Sequence, residues 1–241
     1  MAETQADTRA RIDIIDAVRG LSILLMVIYH LGYDLVYAEI IPKFIVFNPL
    51  IDALQLFFAA LFIFISGVSS RLSRSNLKRG FIMLAFAVAI SAVTYLFESP
   101  VWFGILHFLG VAAVLYGLLG KLLQRVTSAV YPAVCALMFV VSYVLTSGIY
   151  DIEGLWMFGI RDKYFTSADY FPVFPWIFVY FAGAWFGRYV IEKSLPNWFY
   201  ELKCGFFAGV GRKTLFVYLL HQPVIYGVLW IVIWIKGAIA A

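Results

Sequence analysis

The chain has 241 residues, of which 63% are hydrophobic, 19% are aromatic and only 13% are charged. Soluble domains carry roughly 25% charged and roughly 45–50% apolar residues, so this composition excludes a soluble fold and indicates a membrane protein. The formal net charge of +4 does not indicate nucleic-acid binding, because the basic residues fall between apolar runs, where they would face anionic lipid headgroups.

Seven apolar runs follow one another along the chain. A helix needs about 20 apolar residues to cross a hydrocarbon core of about 30 Å. Runs of that kind occupy residues 14–37, 49–71, 79–98, 101–120, 128–147, 170–192 and 213–236. They predict an all-α polytopic membrane protein, a bundle of about seven transmembrane helices. We expect residues 1–10 to be a disordered cytoplasmic tail and residues 11–241 to form a single transmembrane domain.

The basic residues between the runs predict the orientation. With the N-terminus in the cytoplasm, the outer segments hold four of the 18 basic residues, which are Lys43, Arg161, Lys163 and Lys236. The cytoplasmic segments hold the other fourteen, which are Arg9, Arg11, Arg19, Arg71, Arg74, Lys78, Arg79, Lys121, Arg125, Arg188, Lys193, Lys203, Arg212 and Lys213. Because Lys and Arg concentrate on the cytoplasmic side of membrane proteins, the sequence predicts a cytoplasmic N-terminus.

The longest outer segment, residues 148–169, mixes charged and aromatic residues. Two interpretations stay open for it. It is either a lid over the outer face or a solvated loop with a surface helix.

Ionisable side chains are costly inside a membrane and are functional candidates there. The first run holds His30 and Asp34, which are four residues apart and share a helical face, so the carboxylate can orient the imidazole. Arg19 shares that face and lies about 16 Å from His30 along the axis. A cation at the cytoplasmic end and a base deeper in the bilayer suit coenzyme A, with its phosphates near the surface and its thioester beside His30.

A structural interpretation also stays open for these residues. Arg19 would then extend to the headgroups and pair with Asp16, while His30 would pack against another helix. His107 and His221 also fall within apolar runs, where each is either a functional group or a buried hydrogen bond between helices. Their spacing matches no known metal motif, so we expect no metal site.

Small and basic residues mark the cytoplasmic ends of the second and third runs. Ser66 and Gly67 permit close helix approach and are interpreted first as packing residues. Arg71 and Arg79 belong to a basic patch that suits phosphates, although the cytoplasmic excess of positive charge explains this patch equally well.

Several segments in chain order resemble one family. Arg11-Ile12-Asp13, Asp16-Ala17-Val18-Arg19-Gly20 and Tyr29-His30 look like the opening of the transmembrane acyltransferases. The later matches are Phe62-Ile63-Phe64-Ile65-Ser66-Gly67, Phe103-Gly104-Ile105-Leu106-His107-Phe108-Leu109-Gly110, Ser167-Ala168-Asp169-Tyr170-Phe171-Pro172, Phe174-Pro175-Trp176, and Gly211-Arg212 with His221-Gln222-Pro223. Together they resemble the bacterial branch of the heparan-alpha-glucosaminide N-acetyltransferase catalytic domain family, over about residues 9–230.

The resemblance implies a membrane-bound O- or N-acyltransferase. It would move an acetyl or other acyl group from cytoplasmic acyl-CoA, with acetyl-CoA as the expected donor, to a sugar, glycan or lipid-linked sugar at the outer face. The implied location is a bacterial inner membrane, with membrane lipids as partners, no nucleic acid, and a homo-oligomer left open.

The resemblance also implies roles for individual residues. His30 would be a general base or a transient acyl carrier, with Asp34 orienting it and His107 as a second polar group at the reaction centre. The candidates for binding the donor are Asp16, Arg19, Arg71 and Arg79. The candidates for binding the acceptor are Asp169, His221 and Gln222.

Two other functions stay open from the residues alone. Buried histidines with Asp34 would also serve a proton-coupled transporter, although the sequence contains no inverted repeat of the kind that many transporters have. A non-catalytic membrane subunit would use the same polar residues only to join helices.

Overall fold

The computed structural model describes residues 12–240, with side chains as far as residue 235. The predicted tail, residues 1–10, lies outside the described residues. Between residues 12 and 240 the chain contains helices and two isolated β-bridges but no strand. The helices are α1 Asp13–Tyr37, α2 Pro49–Leu72, α3 Asn76–Leu96, α4 Ile105–Leu123, α5 Tyr131–Thr146, α6 Val173–Ile191, α7 Asn197–Glu201, α8 Gly205–Arg212 and α9 Thr214–Ala240.

Each of the seven apolar runs coincides with a helix, so the prediction of an all-α membrane protein is confirmed. Five helices are long and apolar enough to cross a membrane, namely α1, α2, α3, α4 and α9, and α5 is a shorter apolar helix of 16 residues. Large apolar side chains stay exposed along them, as lipid contact requires; examples are Phe57, Leu118, Val144 and Trp230. The count of about seven spans and the cytoplasmic N-terminus stay predictions.

The described chain divides into two compact units. The first comprises residues 12–61 and 195–240, and the second is Phe62–Ser194. The single transmembrane domain expected over residues 11–241 stays a prediction.

Helix α1 is the centre of the first unit and packs against α7, α8 and α9. It meets α8 at two glycines, with backbone against backbone. A Cβ atom on Gly20 would collide with the Phe207 carbonyl, and one on Gly211 would collide with the Asp16 carbonyl. Only glycine permits this approach, which places the charged ends of α1 and α8 side by side.

Helix α4 is the most buried helix of the second unit and packs against α3 and α6. The part of α2 that belongs to this unit meets α6 at Gly67 and Gly183, where a Cβ atom would collide with backbone of the opposite helix. Gly67 therefore has the packing role that the sequence predicts. Ser66 is buried beside it and donates its hydroxyl to the Phe62 carbonyl within α2.

Candidate active site

Two of the three histidines meet in the first unit. His30 on α1 and His221 on α9 have ring centroids 5.2 Å apart, with the ring planes inclined by 54°. The chain brings them together because α9 packs along α1. We call His30, His221, Asp34 and Gln222 the histidine-pair cluster, since Asp34 follows His30 by one turn of α1 and its neighbour Gln222 follows His221 on α9.

The ring of His221 is held in one orientation. Its Nδ1 lies 2.6 Å from the backbone carbonyl oxygen of Tyr218, one turn earlier in α9. A carbonyl oxygen only accepts hydrogen bonds, so Nδ1 carries the proton and donates it to Tyr218. In the neutral ring, Nε2 is then the nitrogen with the lone pair. This Nε2 is buried and has no hydrogen-bond partner among residues 12–235.

Asp34 is buried on α1, and its hydrogen-bonding neighbour is the side chain of Gln222 on α9. The contact described for the carboxylate is therefore Gln222 rather than the His30 ring, four residues earlier on the same helix. One oxygen of each partner, Asp34 Oδ2 and Gln222 Oε1, is buried without a hydrogen-bond partner in the described part of the chain. That Asp34 orients His30 stays a prediction.

The N-terminal end of α1, which is predicted to be cytoplasmic, holds two aspartates and Arg19 beside Arg212 at the end of α8. Arg19 Nη1 lies 2.7 Å from Asp16 Oδ1 and donates to the Gly211 carbonyl over 3.4 Å. Arg212 lies 3.4 Å from Asp13 Oδ1 and 3.8 Å from Asp16 Oδ2. The pairing of Arg19 with Asp16 that the structural interpretation expects is thus present. The sequence analysis did not single out Arg212 as a site residue, and its only signal was the Gly211-Arg212 motif.

His107 lies in the second unit and joins α4 to α3. Its Nε2 is 3.0 Å from the Ser91 hydroxyl, whose own proton goes to the Val101 carbonyl. Because that proton is already used, the His107 Nε2–H must be the donor to Ser91. The ring also stacks on Phe103, with centroids 5.7 Å apart. His107 thus forms the kind of helix-to-helix hydrogen bond that its structural interpretation expects, and a catalytic role stays a prediction.

Arg79 also forms contacts within the second unit. Its Nη2 donates to the Ser66 carbonyl over 3.2 Å and to the Ser70 hydroxyl over 3.1 Å. Ser70 in turn hydrogen-bonds the buried Tyr180 hydroxyl. The Arg71 side chain packs at Gly187, where it lies 2.7 Å from the position of an added Cβ. Donor binding by Arg71 and Arg79 stays a prediction.

Asp169 supports the start of α4. Its Oδ2 accepts the Ile105 backbone N–H over 2.9 Å, and a Cβ atom on Gly104 would collide with the same oxygen. A carboxylate at a helix N-terminus satisfies a free N–H group and suits the positive end of the helix dipole. This contact gives Asp169 a structural role. The acceptor binding that the sequence predicts for Asp169 stays a prediction.

The family model described as "Heparan-alpha-glucosaminide N-acetyltransferase, catalytic" matches residues 11–223, most of the chain. The chain belongs to this family. Membership in the heparan-alpha-glucosaminide N-acetyltransferase catalytic family assigns it acetyltransferase activity, and its apolar helices make it a membrane transferase. No curated protein and no solved structure matches the sequence.

The match to this N-acetyltransferase family spans both units and includes every candidate site residue. In the first unit the fold brings together His30, Asp34, His221 and Gln222, and separately Arg19 with Asp16. Among the described residues, no group of three or more His, Cys, Asp or Glu side chains is arranged to hold a metal ion.

Proposed function

We propose that this protein moves an acetyl or other acyl group from cytoplasmic acyl-CoA to a sugar or glycan acceptor at the outer face of the membrane. The observation that carries the proposal is the histidine-pair cluster, in which half-buried rings of two apolar helices lie against each other. Imidazoles are the usual proton acceptors of acyl transfer, and they are costly to keep in such a place without a function.

The cytoplasmic end of α1 is the proposed donor site. Arg19 and Arg212 lie there beside Asp13 and Asp16, so four charged groups balance one another. Phosphates of acyl-CoA would compete with the two aspartates for the guanidinium groups, which bind phosphate through paired N–H donors. The donor's neutral arm then spans the distance of about 16 Å along α1 to His30.

The histidine-pair cluster is the proposed reaction centre. An imidazole there accepts a proton from the acceptor's hydroxyl or amine as that group attacks the thioester carbonyl. Asp34 Oδ2 and Gln222 Oε1 are buried without a partner among residues 12–235, and such oxygens suit the hydroxyl and amine donors of a sugar.

Calorimetry with acetyl-CoA on the purified full chain in lipid nanodiscs tests the donor site. We expect wild-type protein to bind and Arg19→Ala to bind at least about tenfold more weakly, because a hydrogen bond to a charged group contributes about 1.5–3 kcal/mol. Lys121→Ala is the matched control, since it removes an exposed positive charge at the end of α4 and should bind as the wild type does.

Transfer itself is measured as free thiol released from acetyl-CoA in the presence of an amino sugar or a neutral sugar. Comparison of the two acceptors distinguishes N- from O-transfer. A wild-type protein that binds no acyl-CoA would overturn the proposal. In that event, a proton flux across proteoliposomes would support the transporter hypothesis instead.

A further inference from the structure

We propose that His221 Nε2, rather than a nitrogen of His30, is the atom that takes the proton from the acceptor. This inference rests on the proposed function and deepens it, because it assigns the base to one atom and constrains the acceptor.

The first observation is the fixed tautomer of His221. The Tyr218 carbonyl accepts the Nδ1–H at 2.6 Å, so the lone pair of the neutral ring must be on Nε2. A general base needs this arrangement: the proton sits on the nitrogen facing the backbone, and the lone pair sits on the other nitrogen. A second group that fixes the tautomer and the ring orientation in this way is a recurring feature of catalytic histidines.

His30 lacks a comparable contact. In the described part of the chain, no hydrogen bond holds either nitrogen of its ring, and its nearest polar ring is that of His221. Both tautomers of His30 are therefore open, and a base with an unfixed tautomer presents its lone pair only part of the time. His30 contacts the reaction centre, while the geometry assigns the proton transfer to His221.

The second observation concerns two further buried atoms on the same two helices. Gln222 Oε1 on α9 and Asp34 Oδ2 on α1 have no hydrogen-bond partner within residues 12–235, and the two side chains are neighbours. With His221 Nε2, all three accept hydrogen bonds, and Asp34 does so with both oxygens when ionised. Three unpartnered acceptors are complementary to a ligand that brings donors. The acceptor substrate is therefore a polyol or an amino sugar that presents at least two O–H or N–H groups.

The transfer step balances as follows. The acceptor oxygen or nitrogen attacks the carbonyl carbon of the acyl thioester and forms a new C–O or C–N bond, while its proton moves to His221 Nε2. The C–S bond breaks, and its electron pair leaves with the coenzyme sulfur. The proton on Nε2 then passes to that thiolate, so acylated acceptor and free coenzyme thiol leave and His221 is again neutral.

The decisive variant is His221→Asn. An asparagine amide can still donate to the Tyr218 carbonyl in place of Nδ1, but it has no basic nitrogen where Nε2 stands. We expect kcat to fall by about 10²–10⁴-fold, the usual contribution of a general base, with little change in the affinity for acetyl-CoA. His221→Ala loses both the bond to Tyr218 and the basic nitrogen, so its kcat should fall by a similar factor.

The outcomes separate the two proposals. Turnover of His221→Asn within about threefold of wild type, with His221→Ala impaired, would mean that only the bond to Tyr218 matters, and the inference would be overturned. A wild-type protein that binds no acyl-CoA would instead overturn the proposed function. Wild-type donor affinity with lost turnover in both variants supports the assignment.

A spectroscopic test does not depend on turnover. The chain has three histidines, so protein labelled with ¹⁵N-histidine gives six ring-nitrogen signals, which single substitutions assign. We expect His221 to show a protonated Nδ1 and a bare Nε2. A His221 ring that is protonated at Nε2 in the neutral state would overturn the inference whatever the kinetics.

Discussion

The regions around His221 and His107 use buried polar atoms in opposite ways. In the second unit, His107 donates to Ser91, which donates to the Val101 carbonyl, and the polar chain is complete. In the first unit, Tyr218 fixes one nitrogen of His221, whereas its other nitrogen and one oxygen each of Asp34 and Gln222 have no partner among residues 12–235.

This difference in hydrogen bonding distinguishes a histidine that stabilises the fold from one that serves a function. Each buried polar atom without a partner costs about 1–3 kcal/mol, so a sequence optimised only for folding would avoid three of them at one place. The hydrogen bonds of His107 carry no such cost, and a connection between two helices accounts for them fully. The unpartnered atoms of the histidine-pair cluster connect nothing. Their cost is understandable if a substrate supplies the missing donors during turnover.

The largest expected effect is on activity in the first unit. His30→Ala should lower kcat by about a hundredfold or more, because it removes a ring that packs directly against His221, while acetyl-CoA affinity stays close to wild type. Thiol release and calorimetry on the same preparation measure both quantities. Ile28→Ala is the control, since this exposed side chain on α1 should be replaceable without loss of kcat. If His30→Ala turned over normally, His30 would have no part in the reaction, and the test of His221 alone would decide where the reaction centre lies.

A smaller effect, on stability, is expected in the second unit. Ser91→Ala leaves the buried His107 Nε2–H and the Val101 carbonyl without their partner, so the free energy of unfolding should fall by about 1–3 kcal/mol. Thermal denaturation in detergent measures the change. Ser142→Ala makes the matched comparison, because that hydroxyl donates only to carbonyls of its own helix. Equal melting temperatures for the two variants would contradict the structural role of the His107 chain.

The smallest effect is on the affinity for the acceptor. Gln222→Met keeps the approximate volume and removes the unpartnered Oε1 together with the amide that hydrogen-bonds Asp34, so the two effects on the free energy of unfolding oppose each other and the net change should stay within about 1 kcal/mol. The same change should raise KM for the acceptor, because a hydrogen-bond acceptor of the site is lost. A variant that is destabilised and still has wild-type KM would show that Gln222 serves only as the partner of Asp34.

The helical architecture could be predicted because it depends on local composition. Seven apolar runs became seven helices, and most bounds agree within a few residues. The start of the fourth apolar run shows what composition misses, since the run begins at residue 101 and α4 begins at Ile105. Asp169, distant in sequence, accepts the Ile105 N–H, and an apolar run carries no trace of such a long-range contact.

Only the contacts between residues of the same helix could be predicted for the candidate site. The spacing of His30 and Asp34 correctly places both on α1, and Arg19 and Asp16 pair as one of the interpretations expects. The packing of α9 on α1 could not be derived, so Gln222 was missed as the neighbour of Asp34. The bond from His221 to Tyr218 lies within α9, but it was also missed because it depends on a ring orientation that no periodicity encodes.

The attachment of the outer segment to α4 has a mechanical consequence. Four hydrogen bonds join the end of that segment to the residues around the start of α4, from Trp102 to Ser167, Ala168 to Pro100, Ile105 to Asp169, and Phe171 to Phe103. The segment therefore cannot lift as one rigid flap, and any hinge must lie before Ser167. A pull on Asp169 would act on the first turn of α4, which also holds His107.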